Sequence, residues 1–413
     1  MENINRFAAL AGVCLAALVV RAAENPLPKW ALGGFVRPAG VNPVIRPNPK
    51  SEFECPMQRR LVKWEESDTF NPAAAVKDGK ICVLYRAEDN TAQGVGSRTS
   101  RIGLAVSEDG VRLAREPKPV LFPGGDDQEE FDCPGGCEDP RISVTEDGLY
   151  VMTYTSWNRK CPRLCIATSR DLRHWTKHGP AFGRAQGGRF LGLASKSGAI
   201  VTEPSSADPS RYVIAKVNGK YLMYWGETAI HAATSDDLVN WNPVTRQDGS
   251  LRELVKPRPG FFDSTLVEVG PAAIRTKYGI VVLYNGRNGH GEVADRRYGQ
   301  GTYCGGQVLF DGRDPYMPAA RLDEPYFRPL ADFERKGQYA EGTVFTEGLV
   351  QYKGKWYLYY GCADSLVGVA VWDPESGMRV GDPLPEAELM THRGFSGLHF
   401  GYAVWTIYGA KGQ

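Results

Sequence analysis

A five-fold internal repeat constrains the fold of this chain more than any other feature of its sequence. The first repeated segment is a run of β-branched and aromatic residues, and it occurs at residues 80–86, 149–154, 220–226, 279–286 and 355–361. A second segment, rich in small apolar residues, follows each copy at residues 102–110, 164–171, 230–237, 305–311 and 367–373. Both segments have the composition and the polar ends of β-strands. We therefore predict an all-β chain.

The repeat also predicts how the strands are arranged. Two strands cannot bury both of their faces alone, but five such units can stack around an axis as four-stranded blades. The fold expected from the sequence is a five-bladed β-propeller. The alternative, two separate β-sandwiches, leaves the five-fold repetition unexplained. The contents of Gly (47) and Pro (28) suit a chain with many tight turns.

The first 23 residues have the pattern of an export signal, with Arg6 before an apolar stretch at residues 8–20 and small residues near a cleavage site. The apolar stretch is too short to span a bilayer comfortably. A buried N-terminal helix is the alternative, and residues 10–14 resemble a lipoprotein box in which Val13 replaces the usual small residue. We expect a signal peptide at 1–23, a mature protein of the periplasm or cell surface, and no transmembrane segment in the mature chain.

The remaining chain is expected to form one domain. Residues 24–67, with prolines from position 26 onwards, are predicted to be an extension that packs on a catalytic propeller at 68–413. The formal net charge is +1, with 49 basic and 48 acidic residues. Because there is no basic surplus to neutralise phosphates, a nucleic-acid partner is not expected. The oligomeric state cannot be read from this sequence.

Cysteine and histidine spacing gives no strong sign of a metal or a cofactor, and we expect neither. Two cysteine pairs, Cys133 with Cys137 and Cys161 with Cys165, have three residues between the partners. Zinc ligands usually have a tighter spacing. A disulfide between the two pairs is one interpretation in an exported protein, and buried free thiols are the other.

Polar residues next to the repeated strands are the candidates for chemistry, because the loops that leave propeller strands converge at one end of the axis. These residues are Asn71, Arg86, Glu88, Glu138, Asp139, Arg141, Glu227, Asp263, Glu268 and Asp364. Carboxylates held close together raise one another's pKa, and glycoside hydrolysis needs one protonated and one ionised carboxyl group. Neighbouring aromatic residues such as Tyr360 could stack on sugar faces. A structural pair between Glu138 and Arg141 within the turn is the alternative for those two residues.

Several of these motifs, taken in their order, resemble a known enzyme family. They are Phe70-Asn71-Pro72-Ala73, Tyr85-Arg86-Ala87-Glu88, Glu138-Asp139-Pro140-Arg141, Lys196-Ser197-Gly198, Gly270-Pro271 with Thr276 and Gly279, and Tyr359-Tyr360-Gly361-Cys362-Ala363-Asp364. The chain is similar, over about residues 68 to 375, to glycoside hydrolase family 130. That family contains β-mannoside phosphorylases and β-1,2-mannosidases on a five-bladed propeller, so a mannose-containing oligosaccharide is the expected substrate.

The resemblance implies a role for several residues. Asp139 matches the general acid of the family, whose proton is thought to reach the glycosidic oxygen through the 3-hydroxyl of the sugar. Positions that hold mannose in the −1 subsite match Asn71, Arg86 and Asp364. The other residues expected to line the sugar site are Glu88, Arg141, Lys196, Asp263, Asn285 and Tyr360.

The chain departs from the phosphorylase pattern at the positions where phosphate would bind. Glu227 follows a strand that ends in His-Arg-Pro in phosphorylases, Glu268 stands in place of a lysine, and Asn285 in place of a histidine. A carboxylate repels phosphate but can deprotonate water. We therefore expect an exo-acting, inverting β-mannosidase in which Glu227 and Glu268 hold the attacking water, and the resemblance implies that it cleaves β-1,2 linkages. Which of the two accepts the proton stays open.

Three other functions compete with this hypothesis. The first is a β-mannoside phosphorylase that releases mannose 1-phosphate, which turnover dependent on phosphate would establish. The second is a non-catalytic propeller that binds glycans, although binding alone needs fewer carboxylates. The third is a five-bladed glycosidase acting on arabinan or fructan, which the order of the motifs disfavours.

Overall fold

The computed structural model describes residues 26–94 and 96–376, and in them almost all regular structure is β-strand. The strands are β1 (Phe53–Cys55), β2 (Arg60–Val62), β3 (Asp68–Lys77), β4 (Lys80–Glu88), β5 (Ser100–Ser107), β6 (Ala114–Arg115), β7 (Gly136–Val144), β8 (Tyr150–Trp157), β9 (Pro162–Ser169), β10 (Thr176–Pro180), β11 (Gly198–Pro204), β12 (Tyr212–Ile214), β13 (Lys216–Val217), β14 (Lys220–Trp225), β15 (His231–Ser235), β16 (Trp241–Pro243), β17 (Leu266–Val269), β18 (Ala273–Thr276), β19 (Gly279–Arg287), β20 (Tyr303–Phe310), β21 (Pro318–Arg321), β22 (Val344–Tyr352), β23 (Lys355–Cys362) and β24 (Leu366–Trp372). Helical structure in the described residues is limited to α1 (Glu129–Asp132) and short 3-10 turns at Ala185–Gly188, Gly291–Val293, Asp332–Glu334 and Pro374–Ser376. The predicted all-β class is confirmed.

The strands form two large curled sheets and two small ones. The first large sheet has the order β10-β9-β8-β7-β5-β4-β3, with β6 paired to β5. The second has the order β16-β15-β14-β11-β18-β19-β20-β21, with β12, β13 and β17 paired to β11, β14 and β19. Strands β22-β23-β24 and β1-β2 form the small sheets.

Each large sheet consists of two antiparallel units joined by one short parallel strand pairing. These pairings include Ser100 with Gly136, between β5 and β7, and Val201 with Ala273, between β11 and β18. The two repeated sequence segments lie on neighbouring strands of each unit, for example β4 and β5 in the first and β23 and β24 in the last. The units thus follow the sequence repeat, while the count of five propeller blades stays a prediction.

Cross-strand packing explains why the two repeated segments occur together. Tyr85 on β4 is paired directly with Gly103 on β5, and a Cβ added at this glycine would lie 2.5 Å from the tyrosine ring. Tyr284 and Gly306 repeat the arrangement on β19 and β20, with a corresponding distance of 2.3 Å. The ring of the first segment therefore lies over the small residue of the second, which lets a large side chain fill the core between neighbouring strands.

The segment before β3 contacts the last unit. Val36 and Ile45 form isolated bridges with Val371 and Val367 on β24. Arg37 also forms a fully buried ion pair with Glu334, with Nε 2.6 Å from Oε1. The expected signal peptide lies outside the described residues, and the predicted domain boundaries stay a prediction.

Three further findings bear on the expected site. All eight cysteines from Cys55 to Cys362 in the described part of the chain are free thiols, so no disulfide joins the two spaced pairs. Within the same residues, no cluster of three or more His, Cys, Asp or Glu side chains could hold a metal ion. None of the described helices is long and apolar enough to cross a membrane.

Candidate active site

Three β-bulges interrupt the strands that carry the candidate residues. The pairing of β3 with β4 skips Asn71, that of β7 with β8 skips Asp139 and Pro140, and that of β22 with β23 skips Glu347. A bulge inserts an unpaired residue and redirects its side chain. Asn71 and Asp139 also have φ angles of 45° and 49°, a region that non-glycine residues rarely adopt. Such backbone conformations are concentrated at functional sites in proteins.

Arg86 is the centre of a buried cluster of polar side chains. Oδ1 of Asp139 accepts hydrogen bonds from Asn71 Nδ2 at 2.9 Å and from Arg86 Nη1 at 3.1 Å. Nη2 of Arg86 also donates to Glu88 at 2.7 Å and to Glu138 at 2.9 Å. The structure thus brings together the sequence-predicted residues Asn71, Arg86, Glu88 and Asp139. Glu138 pairs with Arg86 here, and not with its near neighbour in the turn.

Lys196 links this cluster to the two glutamates at positions 227 and 268. Its Nζ lies 3.7 Å from Oδ2 of Asp139, and its side chain is 21% exposed. Burial lowers the pKa of Lys196, but Asp139, Glu227 and Glu268 outweigh burial and raise it above its ordinary value. Lys196 is therefore a cation beside Asp139 and within electrostatic range of Glu227 and Glu268.

The carboxyl groups around Arg86 have pKa values that are shifted in opposite directions. Burial acts to raise the pKa of Asp139, but Arg86 and Lys196 outweigh it and hold that pKa below its ordinary value. Burial raises the pKa of Glu138 to about 7, with Arg86 opposing. Burial likewise raises the pKa of Asp364 to about 7, although Arg86 opposes it. At neutral pH the cluster can therefore hold a proton on Glu138 or Asp364, while Asp139 itself is ionised.

Asp364 faces the cluster from the turn after β23. Its φ angle of 52° follows one of 49° at Ala363, so two successive residues adopt the left-handed conformation. Its backbone carbonyl accepts a hydrogen bond from Gln338 Nε2 at 2.9 Å. This turn directs the carboxyl group of Asp364 towards the charges of Arg86 and Asp139, both of which affect its pKa.

Glu227, Glu268 and Asn285 lie side by side on adjacent segments of backbone. Asn285 on β19 is the Cα partner of Glu268 on β17. On the other side, the two residues that flank Glu268 donate their amides to the carbonyls of the two residues that flank Glu227, at 3.4 and 3.2 Å. The charge of Glu227 also raises the pKa of Glu268, so the two carboxyl groups lie within electrostatic range of each other. The structure therefore brings the two glutamates together, while their role in holding water stays a prediction.

The two glutamates differ in their surroundings. Glu268 is buried, and burial first and the charge of Glu227 second raise its pKa to about 7. Lys196 and Arg141 oppose this shift, and the hydroxyl of Ser197 donates a hydrogen bond to Oε1 of Glu268. Glu227 is exposed. Glu268 is thus a buried carboxyl group that can gain or lose a proton near neutral pH.

Asn285 is engaged by the neighbouring unit. Its Oδ1 accepts hydrogen bonds from the amide of Thr346 at 2.8 Å and from its hydroxyl at 2.9 Å. Its Nδ2 donates to the carbonyl of the same residue at 3.2 Å. Asn285 therefore joins β19 to β22 beside Glu268, and these bonds use both ends of its amide.

Arg141 joins the bulge of β7 to the strand of Glu268. Its guanidinium donates to the carbonyls of Asp139, Val269 and Gly270 at 3.0, 2.8 and 3.1 Å. Its Nη2 also lies 2.9 Å from Oε1 of Glu347. Glu347 is absent from the sequence-predicted residues, because most of those were chosen from the ends of the repeated strands. The signal was the position before β23, which matches the positions of Asn71 before β4 and of Asp139 before β8.

Two of the predicted sugar ligands lie elsewhere. Asp263 is fully buried, forms ion pairs with Arg258 at 3.0 Å and Arg321 at 2.6 Å, and accepts a hydrogen bond from the hydroxyl of Tyr284. Tyr360 is also fully buried, and its hydroxyl donates to Glu334 at 2.8 Å within the hydrophobic core. The geometry does not favour sugar binding by either side chain, because both are already engaged in the interior.

Comparison with known proteins identifies the family. The family model Glyco_hydro_130, described as beta-1,4-mannooligosaccharide phosphorylase, matches residues 41–381. A 1,2-beta-oligomannan phosphorylase of Thermoanaerobacter sp. (strain X514) is 32% identical over 334 residues, which cover 80% of this chain and 94% of that protein.

Solved structures agree with this assignment. A putative glycosidase from Bacteroides thetaiotaomicron VPI-5482 is 55% identical with a TM-score of 0.83, and the match covers 84% of this chain and 99% of that chain. Another structure, reported under the words "The GH130 family of mannoside phosphorylases contains glycoside hydrolases that target beta-1,2 mannosidic linkages in Candida mannan", is 57% identical with a TM-score of 0.85, covering 88% and 99%. The chain belongs to glycoside hydrolase family 130.

Proposed function

We propose that this protein is an exo-acting, inverting β-mannosidase that hydrolyses β-1,2 linkages at the non-reducing end of mannosides. The observation that carries the proposal is the adjacent pair Glu227 and Glu268, linked through Lys196 to the buried Asp139. A structure 57% identical to this chain is named for glycoside hydrolases that target β-1,2 mannosidic linkages. A relative 32% identical is a phosphorylase of 1,2-beta-oligomannan, which supports the linkage but not the nucleophile.

In this proposal, the cluster of polar side chains around Arg86 binds the mannose. The guanidinium and the amide of Asn71 donate to Asp139 and can also donate to sugar hydroxyls, and the carboxyl of Asp364 faces them. Charge-assisted hydrogen bonds of this kind are stronger than neutral ones. The guanidinium is held in place by hydrogen bonds from its Nη2 to Glu88 and from its Nε to Ser100.

Asp139 acts as the general acid. Its pKa is low in the described structure, so it must gain its proton as the site fills, and Glu138 and Asp364 are adjacent groups able to hold one near neutral pH. Sugar binding removes water from around these groups, which favours the neutral form of a carboxyl group. Asp139 then gives its proton to the 3-hydroxyl of mannose, and that hydroxyl gives its own proton to the departing glycosidic oxygen.

Glu268 is the proposed base. Its pKa of about 7 is suited to a group that must be ionised before the reaction and accept a proton during it. As the bond from C1 to the glycosidic oxygen breaks, water attacks C1 from the opposite face and passes its proton to Glu268. The products are α-mannose and the shortened sugar, and both carboxyl groups then return to their starting states by exchange with solvent.

Electrostatics favours water over phosphate as the nucleophile. A unit negative charge about 5 Å from another is repelled by about 3 kcal/mol at an effective dielectric constant of about 20. Two carboxylates therefore oppose a phosphate anion that occupies the space beside Glu227 and Glu268. Lys196 favours phosphorolysis, because it offers phosphate one cation. That charge is already shared with Asp139, however. A β-mannoside phosphorylase is the second candidate for this reason, and also because the curated relatives are phosphorylases.

The remaining expectations stay part of the proposal. The two antiparallel units in each large sheet, together with β22-β23-β24, support a five-bladed propeller. An export signal at 1–23 would place the enzyme in the periplasm or at the cell surface. Secretion of a reporter fused to these residues would test that expectation.

The experiment that tests the function is incubation with β-1,2-mannobiose in the presence and absence of phosphate. We expect free mannose at equal rates in both, with Asp139→Asn inactive as the control for contaminating enzymes. Mannose 1-phosphate formed only when phosphate is present would replace hydrolysis by phosphorolysis. Binding of mannobiose without turnover would instead favour the non-catalytic alternative.

A further inference from the structure

Glu347 is a buried carboxyl group that the proposed mechanism does not use. It is the residue without a Cα partner at the bulge of β22, and it is 2% exposed. Its ion pair with Arg141 measures 2.9 Å, and within the described residues neither carboxylate oxygen has any other hydrogen-bond partner. A buried charge without further partners is costly, so a role for it has to be sought in what the pair holds together.

The pair joins the two halves of the proposed catalytic machinery. The three carbonyls that Arg141 binds belong to Asp139, which carries the proposed acid, and to Val269 and Gly270, which follow Glu268 directly. These carbonyls are neutral, and Glu347 is the acidic partner of the guanidinium, with its Oε1 2.9 Å from Nη2 of Arg141. Without that partner, the buried guanidinium would move towards another anion or towards solvent.

The charges of the site also act on Glu347. Burial raises its pKa well above the ordinary value, Arg141 opposes this, and both Asp139 and Glu268 raise it further. The side chain therefore lies within electrostatic range of both the proposed acid and the proposed base. This is the position expected of a group that lies between the two.

We propose that Glu347 is a positioning residue for the reaction. Acting through Arg141, it fixes the bulge of Asp139 against the strand of Glu268 and so sets the distance between the proton donor and the base. This inference rests on the proposed function for the names acid and base, but it applies equally to phosphorolysis, because that reaction also needs Asp139.

The test compares Glu347→Gln with wild type in whichever reaction the wild type performs on β-1,2-mannobiose. A displacement of about 1 Å costs an enzyme on the order of a hundredfold in rate, so we expect kcat to fall by about 30-fold to 100-fold. KM should change by less than about threefold, because Asn71, Arg86 and Asp364 still hold the sugar. A fall in kcat below about threefold would overturn the proposal.

Two further variants separate positioning from simple loss of stability. Glu334→Gln alters a fully buried ion pair with Arg37 outside the site, and it should lower the melting temperature while leaving kcat unchanged. Arg141→Lys keeps the charge but loses the planar fork whose three nitrogens reach the separate carbonyls and Glu347, so we expect a kcat as low as that of Glu347→Gln. The double variant should be no slower than either single variant. Multiplying effects would show that Glu347 acts independently of Arg141 and would overturn the inference.

A crystal structure of Glu347→Gln gives a readout that does not depend on activity. We expect the contacts of Arg141 with the carbonyls of Asp139 and Val269, now 3.0 and 2.8 Å, to lengthen or break. Unchanged contacts would refute the positioning role even if the wild type cleaved no mannoside at all. Turnover of neither mannobiose reaction by the wild type would refute the proposed function alone.

Discussion

Glu268→Gln removes the carboxylate that we propose accepts the proton of the attacking water. The substitution keeps the size of the side chain and an oxygen that can accept the hydrogen bond of Ser197. Loss of a general base typically lowers the rate by about 10²-fold to 10⁴-fold, and each tenfold step corresponds to about 1.4 kcal/mol of activation free energy. We therefore expect kcat to fall by at least about a hundredfold, with little change in KM.

The dependence on pH gives a sharper form of this prediction. Burial and the charge of Glu227 raise the pKa of Glu268 to about 7. A base must be ionised to act, so kcat/KM should fall about tenfold for each pH unit below about 7. Above about pH 7 it should fall again, because Glu138 and Asp364 then lose the proton that Asp139 needs. In Glu268→Gln the acidic limb should disappear, because the group that titrates there is gone. The residual rate should be flat below about pH 7.

The assay is the initial rate of mannose release from β-1,2-mannobiose between about pH 5 and about pH 9, with azide added in a second series. Azide can replace water without a base, so it should restore turnover of Glu268→Gln and give α-mannosyl azide. Glu227→Gln is the matched comparison. It removes a like charge, and its acidic limb should move to lower pH. The reasoning is refuted if Glu268→Gln keeps the wild-type limb or more than about a tenth of the wild-type kcat.

Two further predictions follow from groups next to the site. Ser197→Ala removes a hydrogen bond that lowers the pKa of Glu268, so the acidic limb of kcat/KM should move to higher pH; a limb that stays in place would contradict the bond. Asp364 binds its proton more tightly in the folded chain, with a pKa of about 7, than in the unfolded chain. Its contribution to stability is therefore present below about pH 4 and lost as pH rises through about 7, by up to about 4 kcal/mol. Melting temperatures should thus fall between about pH 5 and about pH 8, and Asp364→Asn should reduce that fall; an equal fall in both proteins would contradict the assignment.

The sequence predicted the class of the fold because its repeat has a direct physical cause. A tyrosine on one strand needs a small residue opposite it on the next, as Tyr85 and Gly103 show, so the two segments must recur as a pair. The pairing of units into larger sheets could not be predicted, since it depends on short parallel contacts such as Ser100 with Gly136 that leave no pattern in the sequence.

The candidate site was predictable where a motif marked a bulge and less so elsewhere. Asn71 and Asp139 were found from motifs, and the structure joins them by a hydrogen bond. Tyr360 lies next to a strand end in sequence, but proximity along the chain does not tell which face of the sheet a side chain takes. Adjacent residues alternate, so Tyr284 enters the core while its neighbour Asn285 lies beside Glu268.

The nucleophile is the central claim, and the source of the new oxygen on mannose tests it most directly. The reaction is run on β-1,2-mannobiose in water labelled with oxygen-18, with phosphate present, and the first product is analysed by mass spectrometry and by proton NMR. We predict one labelled oxygen at C1 of the released mannose and the α anomer at first release. Mannose 1-phosphate, or β-mannose at first release, would contradict inverting attack by water at Glu227 and Glu268.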